Sequence, residues 1–166
     1  MNAAAAGAIL MVVTSHGQID PQHPTGLWLE EFATPYRIFT QAGYDVTVAS
    51  PEGGKAPVDP RSLTEEAKPD NADEALRVLK ETARLSAVDL GSFDAVFFPG
   101  GHGTMFDLPK SRSVRKTVEH FLRAGKPTAL ICHGPAALAN ATGKDGEPIV
   151  KGRTLTAFTN AEEHAV

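Results

Sequence analysis

The chain's single cysteine, Cys132, lies in PTALICHGPAALAN (127–140), between an apolar run and a Gly-Pro pair. A thiol so placed is a candidate nucleophile. ALIC reads as a buried strand ending at Cys132, and HGPAALAN as the start of a helix with Pro135 in its first turn. Unpaired N–H groups and partial positive charge at a helix N-terminus stabilise a thiolate, which predicts an activated Cys132. The turn also lifts the side chain above the carboxyl edge of a sheet, where open α/β domains keep their sites. Most lone cysteines in apolar strands are inert filler, so the surroundings decide.

FFPGGHGT (97–104) also ends an apolar run in glycines, where backbone N–H groups can approach an oxyanion unobstructed. The expected pair of donors is the N–H of Gly101 and that of His133, the residue after the nucleophile. A plain glycine turn is the alternative for PGGHG taken alone. His16, at the end of the first apolar run, and His102, within PGGHG, are candidate pocket residues. The histidines show no metal-ligand spacing.

The elements that must position these groups are legible as short apolar runs: AILMVVTS, DVTVAS, DAVFFPGG, PTALIC and TLTAF. Near-continuous rather than alternating hydrophobicity predicts parallel strands covered on both faces, hence an α/β layered domain. TGLWLEEFATPYRIFTQAG, NADEALRVLKETARL and SRSVRKTVEHFLRAG read as helices, the latter two capped by Asn71 and Ser111, with stops at Gly43 and Gly125. SPEGGKAPVDPRSLTEEAKPD reads as a long surface loop, either a tolerated insertion or the wall of a site. ATGKDGEPIVKG predicts a small hairpin around Asp145-Gly146.

At 166 residues, with 42% hydrophobic and 22% charged residues, the chain reads as one globular domain. A net charge of −4 with scattered Lys and Arg argues against a nucleic-acid partner. One cysteine forms no internal disulfide, and the N-terminus has no basic region before its apolar run, so a cytoplasmic setting is expected. No stretch approaches the roughly 20 apolar residues that span a bilayer, so no membrane association is expected.

The cysteine and glycine motifs together, in this order and over most of the chain, resemble the ThiJ/PfpI superfamily, relatives of the class I glutamine amidotransferase domain. TGLWLEEFATPY, AGYDVTVASPEGG, DPRS, PGGHGTMFDLP, ICHGPAAL and TAFTNAEE are similar to its heat-shock chaperone and glyoxalase III branch. The resemblance implies four functional residues: a cysteine, the histidine after it, a later acidic residue and a glutamate of the first helix. Here these are Cys132, His133, Glu163 and Glu31. It further implies a flavodoxin-like three-layer sandwich with a mostly parallel sheet, no metal or organic cofactor, and often a homodimer. The family continues through a further strand and helix where this chain stops at AEEHAV. Residues 1–166 are therefore expected to form a single C-terminally truncated domain, with Glu163 on a fraying terminus.

Each residue has a bland alternative. His133 adjoins Cys132, so their hydrogen bond is not assured, and it could be a packing histidine. Glu163 follows TLTAF and could orient His133, with Glu162 its rival. Glu30, Thr34, Arg37 and Gln41 make a polar helical stripe, while Leu27, Glu31 and Ile38 share an apolar one, which turns Glu31 inward. Pro35 interrupts that helix's hydrogen bonding. A carboxyl buried beside a thiol has a raised pKa.

The function implied by the resemblance is glutathione-independent conversion of a 2-oxoaldehyde such as methylglyoxal to its 2-hydroxy acid, through a hemithioacetal on Cys132. Two other readings stand beside it. A cysteine hydrolase, peptidase or amidase, would use the same nucleophile and oxyanion hole, and a stress chaperone or redox sensor would need no turnover.

Overall fold

The computed structural model describes residues 6–165. In chain order its elements are β1 (Ala8–Val12), a hairpin of β2 (Gln18–Asp20) and β3 (His23–Pro24), α1 (Leu29–Gln41), β4 (Asp45–Ser50), α2 (Ala72–Val78), β5 (Ala83–Arg84), β6 (Ala95–Phe98), α3 (Thr104–Asp107), α4 (Arg112–Arg123), β7 (Thr128–Leu130) and α5 (Asn160–Glu163). Short 3₁₀ turns, including Pro60–Leu63 and Gly134–Leu138, lie between them. The main sheet has the order β5-β4-β1-β6-β7 with every pairing parallel, the expected architecture.

The continuous apolar run of β1 explains its central place. Ile9 and Met11 pack towards Leu29, Phe32 and Ala33 of α1 and Ala72 and Ala75 of α2. Leu10 and Val12 point oppositely, onto Val114, Val118 and Phe121 of α4. Both faces are thus covered, giving three layers. α4 begins as expected, with Ser111 Oγ accepting from Val114 N–H at 3.3 Å, and the helices α1 and α4 stop before Gly43 and Gly125. Among the described residues no helix is long and apolar enough to cross a membrane.

Several expectations are corrected. TLTAF forms no strand: its Phe158 N–H donates to the Cys132 carbonyl at 3.1 Å, but Leu155 is exposed and the run has no ladder along its length. HGPAALAN forms a five-residue 3₁₀ turn rather than an α-helix. Gly134 there lies so close to the Phe98 carbonyl that a Cβ would come within 2.5 Å of its oxygen. The helix read over 71–85 ends at Val78, because Thr82 exchanges backbone hydrogen bonds with Gly54 at 2.7 and 2.9 Å. Tertiary pairing overrides helix propensity. Asn71 does not cap that helix either; its amide donates to the Ala33 carbonyl of α1 at 2.6 Å.

α1 runs continuously through Pro35. Its phase separates exposed Glu30 from half-buried Glu31 as expected, but Ile38, assigned to the inward stripe, is 54% exposed. The loop after β4 is no mere insertion, since its Asp59 and Ser62 are fully buried. Residues 142–148 make the expected tight turn, with Gly143 N–H donating to the Glu147 carbonyl at 2.8 Å.

Candidate active site

β6 and β7 are neighbours, so the loops leaving their carboxyl ends meet. Cys132 stands just past β7 with φ +52°, the only positive φ outside glycine among the described residues. That left-handed backbone costs on the order of 1–3 kcal/mol and marks a sharp, held turn. The opposite loop needs glycine for two reasons. Gly101 has φ +94°, and a Cβ on Gly100 would lie 2.8 Å from each of Cys132 Cβ, Glu31 Oε2 and His133 N. The backbone N–H groups of Gly101 and His133 lie near enough to the Cys132 sulfur to favour its charged form, so both expected oxyanion donors border the thiol.

His133 is buried and lies with Nδ1 3.1 Å from Cys132 Sγ and Nε2 2.7 Å from Glu163 Oε2. The sharp turn at Cys132 lets these adjacent side chains meet. A carboxylate only accepts, so His133 Nε2 carries the proton and its Nδ1 lone pair faces the thiol. Hydrogen bonds from His133 and then His102 hold the Glu163 carboxyl below its usual pKa. Glu162, its rival, is engaged elsewhere in a capping box, with its Oε2 2.7 Å from both Thr159 N and Thr159 Oγ1.

Glu31 reaches the same point from α1. Its Oε2 accepts from Gly100 N–H at 2.7 Å, and its carboxyl lies beside the Cys132 thiol. Burial raises its pKa, only partly offset by the Gly100 bond and the neighbouring thiol. The expected thiolate is corrected here: burial first, and the Glu31 charge next, push the Cys132 thiol up to about 11. The short 3₁₀ turn after it supplies no long macrodipole, and the two N–H groups at Sγ do not outweigh desolvation. The resting sulfur is therefore protonated, with a base beside it.

These groups open into a cavity of ≈ 390 Å³ whose other walls are Trp28, Arg61, His102 and Phe158. His16 is corrected as a pocket residue: its ring lies outside this lining, stacked on Phe106 at 4.6 Å. Trp28, Arg61 and Phe158 carry no chemistry that the sequence singles out, although TGLWLEEFATPY, DPRS and TAFTNAEE, which hold them, all carry part of the resemblance. Among the described residues His102, His133 and Glu163 present ligand atoms within 4.8 Å of one another, a spacing that could hold a metal ion, although hydrogen bonds already join them.

The chain as a whole is similar to known proteins. The chain is 32% identical to Glyoxalase 3 of Candida albicans over 93% of its own length and 70% of the relative's. It is 30% identical to the glutathione-independent glyoxalase hsp3101 of Schizosaccharomyces pombe, covering 96% of this chain and 70% of that one. The crystal structure of glyoxalase III from Candida albicans superposes with a TM-score of 0.86 at 27% identity, over 96% of this chain and 71% of that one. The DJ-1/PfpI family model matches residues 25–165, and the chain belongs to that family.

Proposed function

We propose that this protein converts small 2-oxoaldehydes, methylglyoxal among them, to 2-hydroxy acids without glutathione. The observation that carries the reading is the half-buried Glu31 carboxyl beside the Cys132 thiol, an acid–base group additional to the Cys132–His133–Glu163 array. A cysteine hydrolase would use that array but give Glu31 no task. An internal redox reaction between adjacent carbons needs an acid–base group of this kind. The similarity to glutathione-independent glyoxalases supports the same reading.

As Cys132 Sγ attacks the aldehyde carbon, the thiol proton passes to His133 Nδ1, and the resulting imidazolium is stabilised by Glu163. The N–H groups of Gly101 and His133 receive the developing oxyanion, which takes the proton back from His133 to give the hemithioacetal. Ionised Glu31 then removes the proton from that carbon, giving an enediolate as the neighbouring carbonyl oxygen takes up the hydroxyl proton. Glu31 returns the carbon-bound proton to the neighbouring carbon, leaving a 2-hydroxy thioester. Burial suits Glu31 to this by bringing its pKa towards neutrality. Water hydrolyses the thioester, with His133 as base, and releases the hydroxy acid and the free thiol.

The test is purified protein with methylglyoxal and no glutathione. Loss of aldehyde matched by lactate is expected; aldehyde loss without lactate, or none at all, overturns the reading.

A further inference from the structure

The Glu163 carboxylate serves two imidazoles. His133 Nε2 takes Oε2 at 2.7 Å, and His102 Nε2 takes Oε1 at 2.9 Å, with the two rings 4.5 Å apart between centroids. The far edge of His102 is also engaged, its Nδ1 lying 2.9 Å from Arg61 Nη2. A guanidinium carries donors only and keeps its proton in proteins, so Nδ1 must accept. The His102 proton is then on Nε2, aimed at Glu163. An Nδ1–H tautomer or an imidazolium would set N–H against N–H at Arg61.

Arg61 is itself fixed. Its Nε and Nη2 donate to Asp59 Oδ1 and Oδ2 at 3.0 and 2.9 Å, and Asp59, wholly buried, also accepts from Arg61 N–H and from Thr25 Oγ1 at 2.9 Å each. Glu163 has no such support of its own: it ends the four-residue α5, and its side chain is 45% exposed.

We propose that His102 is a positioning residue, locked as the neutral Nε2–H tautomer by the Asp59–Arg61 pair so that it fixes one Glu163 oxygen and leaves the other for His133. A single hydrogen bond would let an exposed carboxylate turn about its own axis; two donors on different oxygens set its plane. The pair Asp59–Arg61 thereby reaches the thiol through four contacts, Arg61–His102, His102–Glu163, Glu163–His133 and His133–Cys132.

The inference rests on the oxoaldehyde reading only where turnover is measured, so two other readouts are included. Long-range ¹H–¹⁵N spectra of the full chain at neutral pH should show His102 protonated at Nε2, and Arg61→Ala should release a mixture of tautomers. His102→Gln places an amide donor near the former Nε2 and should keep methylglyoxal turnover and the pH profile of Cys132 alkylation near those of the parent. His102→Asn reaches only the Arg61 side and should lower kcat roughly tenfold, about the size of one hydrogen bond, with KM little changed. Thermal melts of the two variants should coincide. An Nδ1–H or doubly protonated His102 in the parent overturns the proposal, as does equal behaviour of the Gln and Asn variants. Should the parent fail to turn methylglyoxal over, the functional reading falls, and the spectra and alkylation profiles still decide the role of His102.

Discussion

The Glu31 carboxyl lies beside the Cys132 thiol, and the carboxylate charge is one reason the thiol keeps its proton. Removing that charge has a definite sign. Glu31→Gln deletes the repulsion and should lower the midpoint of Cys132 alkylation from about 11, where burial and Glu31 now hold it. Rates with iodoacetamide across pH measure this. A midpoint unchanged or higher in the variant would show that desolvation alone sets the thiol.

The same variant should behave oppositely in turnover. A general base contributes about 10²–10⁴ in rate, so Glu31→Gln should lose that much in kcat with methylglyoxal while its thiol stays reactive. Because the Glu31 pKa is raised, the parent's rate should fall in acid at a pH above the ordinary 4.5. Glu30→Gln, on the exposed face, should change stability by roughly 0.5 kcal/mol and keep its rate. Loss of activity in the Glu30 variant would reverse the helix phase.

Glu163→Gln presents an amide donor to His133 Nε2, which favours the tautomer with N–H facing the thiol. A drop of about 10²–10⁴ in kcat is expected. Glu162→Gln weakens a cap on the α5 turn and should cost far less activity. Steady-state kinetics of both proteins separates them, and equal losses would remove Glu163 from the array.

Gly100→Ala places a methyl 2.8 Å from Cys132 Cβ, Glu31 Oε2 and His133 N together. The fold should survive while the thiol, base and oxyanion donor separate. Circular dichroism like the parent's with kcat reduced at least tenfold, the effect of 1.36 kcal/mol on a barrier, is the expected result. Full activity would mean the site is looser than its contacts imply.

Burial alone would raise the Asp59 carboxyl, but bonds from the Arg61 side chain and backbone and from Thr25 hold it below 3.8. A folded-state pKa below the unfolded one contributes stability that is complete above the unfolded value and lost as pH falls through the folded one. Asp59→Asn should therefore destabilise by about 1–3 kcal/mol at neutral pH, the range for a buried polar group left short of partners. That gap should close in strong acid. Chemical denaturation at several pH values tests both parts.

The sequence speaks clearly where burial acts along a continuous run. DVTVAS matches β4 residue for residue, and the two loops that carry Gly101 and Cys132 follow from apolar strands ending in turn residues. TLTAF has the same composition without becoming a strand, because a strand needs a partner along its length and composition does not supply one. The choice between Glu162 and Glu163 was in fact written locally: Thr159 and Glu162 have the spacing of a capping box, which uses Glu162 and leaves its neighbour free. The contact of Arg61 with His102 spans 41 positions, and no local pattern announces it. The thiol's pKa is not legible locally, because the segment after it reads as a helix while the deciding groups, Glu31 and the walls of the cavity, arrive from elsewhere in the chain.

The left-handed backbone at Cys132 also limits what the chain can become at its reactive point. Side chains branched at Cβ fit that region poorly, whereas glycine and asparagine enter it readily. A threonine nucleophile is thus closed to this turn by the main chain alone, whatever its chemistry, while serine meets no branching penalty. Variation at position 132 is filtered twice, once by reactivity and once by the conformation the turn imposes before any substrate arrives.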